Sequence, residues 1–556
     1  MPVPASSVGS RATAHTGGRG GPSTSYAGAA VDSPNIGFYR PRLRSVDAEI
    51  IRESPTLRAR ARDLVRNNPT AAQAVRISQQ TTIGERFRLA LAPDWRFLGV
   101  THEQSVDWSR VVQRTWERYA HSIGFWCDAG RRMNFTELMQ LVHDSDLVDG
   151  EFLIGTEWDQ SRPWGTCFQL IDVDRLSNPY YRPDTVALKG GVELDRLGVP
   201  IGYHVRHSHP GDIALLGAQP WRWELIPRET ENYRPVVLHG FRAVRAGQTR
   251  GVSEFSSVIS ALKMGGEYAE YELANAVVQA QYAMTIESAV DLKAAAEIVE
   301  ATGWQPVDDQ GNPIPDANPQ LEMQLQAAQQ LAAFYGVDGP RVNGIKAAKL
   351  APGDKLSMTG SNHPNSGFDK FDTAMQRKVA QGLGVDPIGL TQNYAEGTSY
   401  SSSKSSAFNN GRTAGTRRGR LTRQSGMPMF AAWLEEAVLR EFVPMPPGLI
   451  PTDFYAAREA LCQGMFITAG KPLIEPLKER QAQNLGRQLG VETLASICSE
   501  EGLDWEENLE QIARENMVAG ELGVVLGGML PPMEEEPPAD DPETKSDDKP
   551  KQVTSS

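Results

Sequence analysis

The chain is poor in cysteine and has no long apolar run, and each lack removes a class of protein. Cys127, Cys167, Cys462 and Cys498 stand far apart with no CxxC spacing. Zinc or iron–sulfur ligation needs clustered thiolates and is not expected; all four read as free buried thiols. No stretch of ~18 apolar residues occurs, the length a helix needs to span a bilayer, so no membrane contact is expected. The opening MPVPASSVGSRATAHTGGRGGPSTS has no apolar core of a secretion signal, and a cytoplasmic origin is expected. Net basic charge is lacking too. The 56 Lys and Arg face 69 Asp and Glu, giving −13, the opposite sign from the usual footprint of a protein that reads DNA.

Catalytic signatures are equally scarce. There is no GxxxxGK[ST] phosphate loop and no GxSxG elbow. His102-Glu103 starts like a metalloprotease helix, but Val106 stands where the second His would be. In HVRHSH, His207 and His209 would share one strand face and His204 the other. Without a neighbouring carboxylate or Cys they read as an exposed strand end, so neither metal nor cofactor is expected. Asp144, Asp146, Asp149 and Glu151 are close in sequence. They read as helix-end and loop acids in water, against the converging carboxylates that a nuclease or glycosidase needs.

What is there is ordinary globular composition, 40% hydrophobic and 22% charged over 556 residues, room for three or four domains of ~150 residues. Residues 1–35 and 531–556 are Gly/Ser-rich and Pro/acid-rich respectively and read as disordered tails. Residues 48–79 have helical periodicity, broken at Asn68, an N-cap, and Pro69 at the first helical position. Arg58, Arg60, Arg62 and Arg66 read as a solvated face or subunit contact rather than a DNA contact. Trp108, Val111, Val112, Trp116 and Tyr119 recur as a core stripe. A helix is expected at 135–147. From Gly150 to Val244 the period shortens to that of strands, with a turn at Leu197–Val199. Helices return at 255–286, 321–336, 367–383 and 425–442, and fill 455–519. The fold class is α+β.

Five blocks, in order, resemble the lambda family of tailed-phage portal proteins. RARARDLVRNNPTAAQAVRISQQTTIG is similar to the family's Arg-rich helix, Asn-Asn-Pro and second helix. The Trp108–Trp116 helix, CDAGRRMNFTELMQL and LVDGEFLI resemble its second block. FQLIDVDRLSNP with GGVELDRLGVPIGYHV resembles its third, VVLHGFRAVRAGQTRGVSEFSSVI its fourth, and GLGVDPIGLTQNYAEGTSYSSSKSSAFNNGR its fifth. The departures cluster in the last, where Asp386 precedes Pro387 and Lys404 replaces the usual Arg. The resemblance covers about residues 40–440.

The resemblance implies a dodecameric ring at one capsid vertex, assembled in the host cytoplasm, with double-stranded DNA passing through its channel in packaging and ejection. It implies no enzymatic activity, a terminase motor and a head–tail connector as docking partners, and contact with the major capsid protein or scaffold. Mapped here, the wing is 36–253, the first stem helix 254–286, the clip 287–362 and the second stem helix 363–384. The tunnel loop is 385–400, the long helix and wing return 401–454, and a helical crown 455–530. Gln392, Asn393, Tyr394, Glu396 and Thr398 would face the channel. A conduit must not grip phosphates, since each neutralised phosphate adds affinity, and ring closure multiplies every charge. Acids should therefore outnumber Lys and Arg along the channel wall. The rivals are another head or head–tail component, a nuclease, and a nonspecific DNA binder using the arginines of 412–423.

NYAEGTSYSSSKSSAFNNGRTAGTRRGR, residues 393–420, has the composition of a linker. If it is helical from Ser401, Gly411, Gly415 and Gly419 fall on one face at spacing four and open it to another backbone. Arg412, Arg420 and Arg423 would then lie near one another on another face, available to acidic neighbours. The alternative is an irregular loop throughout.

Overall fold

A computed structural model describes residues 38–281, 367–391, 400–468 and 476–524, with short pieces at 34–36, 285–287, 341–342, 345–346 and 355–357 and the single residues 29, 310 and 312. Helices and strands fall largely in separate runs, with seven strands between Glu151 and Phe241, as the α+β class requires. Among the described residues no helix is long and apolar enough to cross a membrane. The described cysteines are all free; Cys462 is only half-buried while the other three are buried.

α1 (Val46–Asn67) ends where Asn68 caps α2 (Pro69–Thr82), its side chain accepting from Ala71 N with Pro at the first turn. β1 (Phe87–Leu91), the short α3 (Trp95–Leu98), α4 (His102–Ala120) and α5 (Phe135–Val148) follow. Thr101 and Asn134 open α4 and α5 with reciprocal capping boxes. Trp108, Val112, Trp116 and Tyr119 are buried as their spacing predicts, whereas Val111 is 43% exposed. It lies one step off the stripe, and the core ends before it.

The β region holds two antiparallel sheets. β2 (Glu151–Trp158) is central between β3 (Thr166–Ile171) and β8 (Val237–Phe241). β4 (Leu188–Lys189), β5 (Val192–Leu194), β6 (Pro200–Arg206) and β7 (Trp223–Pro227) form the second sheet in sequence order. Gly150, at φ +87, lies back to back with the 251–253 backbone, and a Cβ there would sit 2.1 Å from Val252 C. Only glycine fits that crossing.

α6 (Ile259–Gln281) is shorter than the expected 255–286. Residues 254–257 form a 3-10 turn, and β9 (Thr285–Glu287) is a strand pairing with β12 (Lys355–Ser357). β10 (Arg341–Val342) and β11 (Ile345–Lys346) pair with each other. The expected helix at 321–336 lies outside the described residues. α7 (Phe368–Leu383) ends at Gly384 in the left-handed conformation, and α8 (Pro387–Thr391) makes the first part of the expected tunnel loop helical. From Tyr400 onward the Ser-Gly-Arg stretch is helix, α9 (Tyr400–Leu421), not irregular loop; residues 393–399 lie outside the described residues. α9 passes through a π-helical turn, Thr422–Gly426, into α10 (Met427–Leu439). Pro428 has no N–H for the Gln424 carbonyl, and the widened turn absorbs that loss.

α11 (Phe454–Leu461) and β13 (Gly464–Thr468) follow. β13 is a strand inside a region read as all helix, and β1, its antiparallel partner, went unread as well. The two strands are too far apart in sequence for either to signal the other. Phe87 and Phe466 stack at 4.6 Å, and Trp116 gathers Phe135, Phe430, Trp433 and Phe466 around it. The expected boundary at 454/455 thus falls within one core. α12 (Pro476–Gln488), α13 (Leu494–Glu500) and α14 (Trp505–Glu521) complete the described chain. A second core joins α1, α2, α5, α6 and α7 through Leu64, Ala74, Leu147, Leu262, Val379 and Leu383, with Phe255 of the 254–257 turn.

Candidate functional site: the junction of α6, α7 and α9

α7 runs against the start of α6. A Cβ at Gly382 would lie 2.3 Å from Val258 Cγ1, so its absence lets the two backbones approach. Farther along, Tyr268 packs on Phe368 and Phe371 at 5.8 and 4.9 Å. α6 also carries apolar residues away from α7: Leu273 and Val277 are 68% and 49% exposed. They sit about half a turn from Tyr268 at 100° per residue.

α9 is bolted to this pair by arginines. The Arg417 guanidinium is buried. It donates to Ser78 Oγ at 3.1 Å, to the Leu383 carbonyl at 2.5 Å and to the Glu254 carboxylate. One side chain therefore ties α9 to α2, to the last turn of α7 and to the turn that starts α6. Arg418 donates to the Thr81 and Thr82 carbonyls, both at 2.9 Å, closing the C-terminus of α2. Burial lowers its pKa. Arg420 forms a two-pronged pair with Asp146, Nη1 to Oδ1 at 2.5 Å. Burial works against the Arg420 charge, and the Asp146 carboxylate overrides it and raises the pKa.

The Asp386 carboxylate accepts from Ile388 N at 3.2 Å and Gly389 N at 3.0 Å, starting α8. It also accepts from Ser406 Oγ on α9. The residue that departs from the family pattern thus holds together the two sides of the expected tunnel loop.

Of the expected site residues, Gln392, Asn393, Tyr394, Glu396 and Thr398 lie outside the described residues. Gly411, Gly415 and Gly419 are in α9. Among the described residues, a Cβ at Gly415 would meet nothing within 4 Å and one at Gly419 would meet Arg423 Nη1 at 3.3 Å, so none of their backbone from another element packs against Gly415 or Gly419. Arg412 is exposed, 5.9 Å over the Phe408 ring, and Arg423 is exposed. Arg420 alone of the three has found its acid. Sequence reasoning missed Arg417, Arg418, Asp386, Ser406, Glu254 and Ser78. The signal for the first two was there: Ala414 and Leu421 are buried at spacing seven, and Arg417 and Arg418 fall between them on the same face.

The other charged motifs are also structural. Glu151 is fully buried, 3.1 Å from Arg58 Nη1, 2.5 Å from Arg250 Nη2 and 3.0 Å from His239 Nε2. Burial pushes its pKa up, but Arg250 and His239 hold it well below the usual carboxylate range. Arg62 reaches Asp149 at 2.6 Å, Asp174 at 2.7 Å and Asp172 at 3.1 Å. Arg58 and Arg62 are therefore intrachain anchors, not a solvated face. Asp149 and Glu151 are their counterparts and Asp146 is that of Arg420, so none of the three is an acid in water, and Asp144 binds Gln79 and His143. His204 does have a carboxylate, Glu193 at 2.8 Å. Among the described residues Asp172, Asp174 and His209 lie close enough to hold an ion. Arg58 and Arg62 already pair with those carboxylates and would compete with a metal for them.

Residues 34–418 match the model of the family described as phage portal protein, lambda family. The chain is 32% identical to the portal protein of Escherichia phage N15 over 482 residues, 86% of this chain and 87% of that one. It is also 32% identical to portal protein B of Escherichia phage lambda, covering 86% of each. Among solved structures it is similar to a chain in the neck of a native gene transfer agent particle, at TM-score 0.40 and 12% identity over 81% of this chain and 94% of that one. An HK97-family portal protein from Corynebacterium diphtheriae gives TM-score 0.30 and 12% identity over 70% of this chain and 99% of that one.

Proposed function

Because the chain belongs to the lambda family of phage portal proteins, which stand at the capsid vertex, we propose that its copies close into a dodecameric ring. Double-stranded DNA passes through the central channel during packaging and ejection. The observation that carries this reading is the α6–α7 pair with its uncovered second face. A helix apolar on both sides is not stable facing water, and Leu273 and Val277 call for a neighbouring helix. Copies of this chain supply it.

The protein acts as a conduit and platform, not as an enzyme. ATP hydrolysis belongs to the docked terminase motor, which engages the clip at 287–362 and later yields to the head–tail connector. The major capsid protein or scaffold surrounds the wing. Gln392, Asn393, Tyr394, Glu396 and Thr398 form the channel loop and make transient contacts with DNA. The junction supports this role. Arg417, Arg418 and Arg420 are all committed to intrachain acceptors, so much of the basic stretch cannot hold phosphates. That disfavours the DNA-binding arm as the alternative.

The test is replacement of 392–398 by Gly-Ser. Rings should assemble as before while packaging or retention of DNA fails. Normal packaging and retention would remove the loop from the mechanism.

A further inference from the structure

The wing carries an aromatic surface that no part of the proposed conduit uses. Tyr180, Tyr181 and Trp221 are 72%, 63% and 55% exposed. They cluster with Trp223: Tyr180–Trp223 is 5.3 Å, Tyr181–Trp223 6.1 Å and Tyr181–Trp221 6.2 Å between ring centres. Tyr180 and Tyr181 both have left-handed backbones, φ 53 and 56. Two bulky residues in that region in succession are strained, and such strain concentrates where a surface is held ready for a partner.

Under the rings lies Arg206, buried, its guanidinium 5.0 Å from the Tyr181 ring centre and 4.7 Å from that of Trp223. Its hydrogen bonds go to Ser177 Oγ at 2.8 Å and the Pro220 carbonyl at 3.3 Å. Among the described residues no carboxylate is within ion-pair distance of it. Arg182 and Arg222 stand exposed beside Tyr181 and Trp221. Of the nearby acids, Asp184 is taken up by Asn178 and Gly190 N, and Glu224 faces His207 at 4.0 Å. The surface is thus aromatic, strained and positive.

We propose that this surface docks the segment 531–550 of this polypeptide, PPMEEEPPADDPETKSDDKP. The chemistry matches on both counts. Its prolines, Pro531, Pro532, Pro537, Pro538, Pro542 and Pro550, favour the extended polyproline conformation, whose rings seat between aromatic side chains at small entropic cost. Its eight acidic residues outnumber two lysines and complement Arg182, Arg206 and Arg222. The 26 residues after Val524, as far as Pro550, reach about 85 Å when extended, enough to cross one copy or meet the next. The inference does not depend on the channel reading.

The experiment uses the full chain with a photo-crosslinking benzoylphenylalanine placed at Met533, and maps the adducts by mass spectrometry. Adducts at 180–182 and 221–223 are expected, falling at least tenfold in Tyr181→Ala/Trp221→Ala. The exposed pair Arg182→Glu/Arg222→Glu, which touches no core residue, should lower them too and guards against misfolding of the first variant. Adducts elsewhere, no adducts, or a yield unchanged in the charge-reversal variant would overturn the proposal.

Discussion

The Arg417 guanidinium donates to the Leu383 carbonyl at 2.5 Å, so the last turn of α7 and the C-terminal part of α9 share one buried cation. That cation also holds Glu254 at the start of α6. Arg417→Ala leaves the half-buried Glu254 carboxylate with only the more distant Arg242, at 3.8 Å, and takes a donor from the Leu383 carbonyl, at a cost of up to about 3 kcal/mol. Arg417→Lys keeps the charge but cannot span three acceptors with one fork. Thermal melting should rank wild type above Lys above Ala. Equal melting temperatures would remove Arg417 as the bolt.

Glu151 carries the pH dependence. Its pKa is held well below the usual range in the fold, against ~4.3 unfolded. A depressed carboxyl contributes stability that is present above the unfolded pKa and lost as pH falls through the folded one. Wild-type stability should therefore decline below about pH 4.3. Glu151→Gln leaves Arg250 without a carboxylate and Arg58 with Asp174 alone, so it should be less stable at pH 7 and show a shallower acid limb in pH-resolved denaturation. Parallel acid limbs would contradict the assignment.

Gly415→Leu separates the single chain from the ring. A Cβ there meets nothing within 4 Å, so one copy should fold unharmed and gain up to about 1 kcal/mol of helix propensity. If a neighbour's backbone packs against the glycine face, sedimentation should show assembly blocked. Intact assembly would leave that face without a partner.

Phe466→Ala tests the joining of the chain's C-terminal part to the wing core. Stacked on Phe87 at 4.6 Å, Phe466 should cost about 3–5 kcal/mol when truncated. Loss confined to residues beyond 454, with the wing unchanged by hydrogen exchange, would argue for a separate domain.

Local signals carried far in this sequence. The Asn68–Pro69 break, the stripe from Trp108 to Tyr119 and the change of period at Gly150 all rest on neighbours within a few residues, and all are found. β1 and β13 rest on each other across most of the chain, and nothing local at Phe87 or Phe466 announces that. Charge was misread for the same reason. An Arg-rich helix looks solvated until Asp149, Glu151, Asp172 and Asp174 are brought against it by the fold. The glycine spacing from 411 to 419 did show α9 as a helix face, while the arginines that fix it, 417 and 418, are placed by partners on α2 and α7.

The central claim is a ring that conducts DNA without gripping it, and electron microscopy of the purified protein tests it most directly. The account predicts closed rings with a central hole whose reconstructed wall carries more Asp and Glu than Lys and Arg. Particles without a hole, or a ring with a uniformly basic channel, would contradict it.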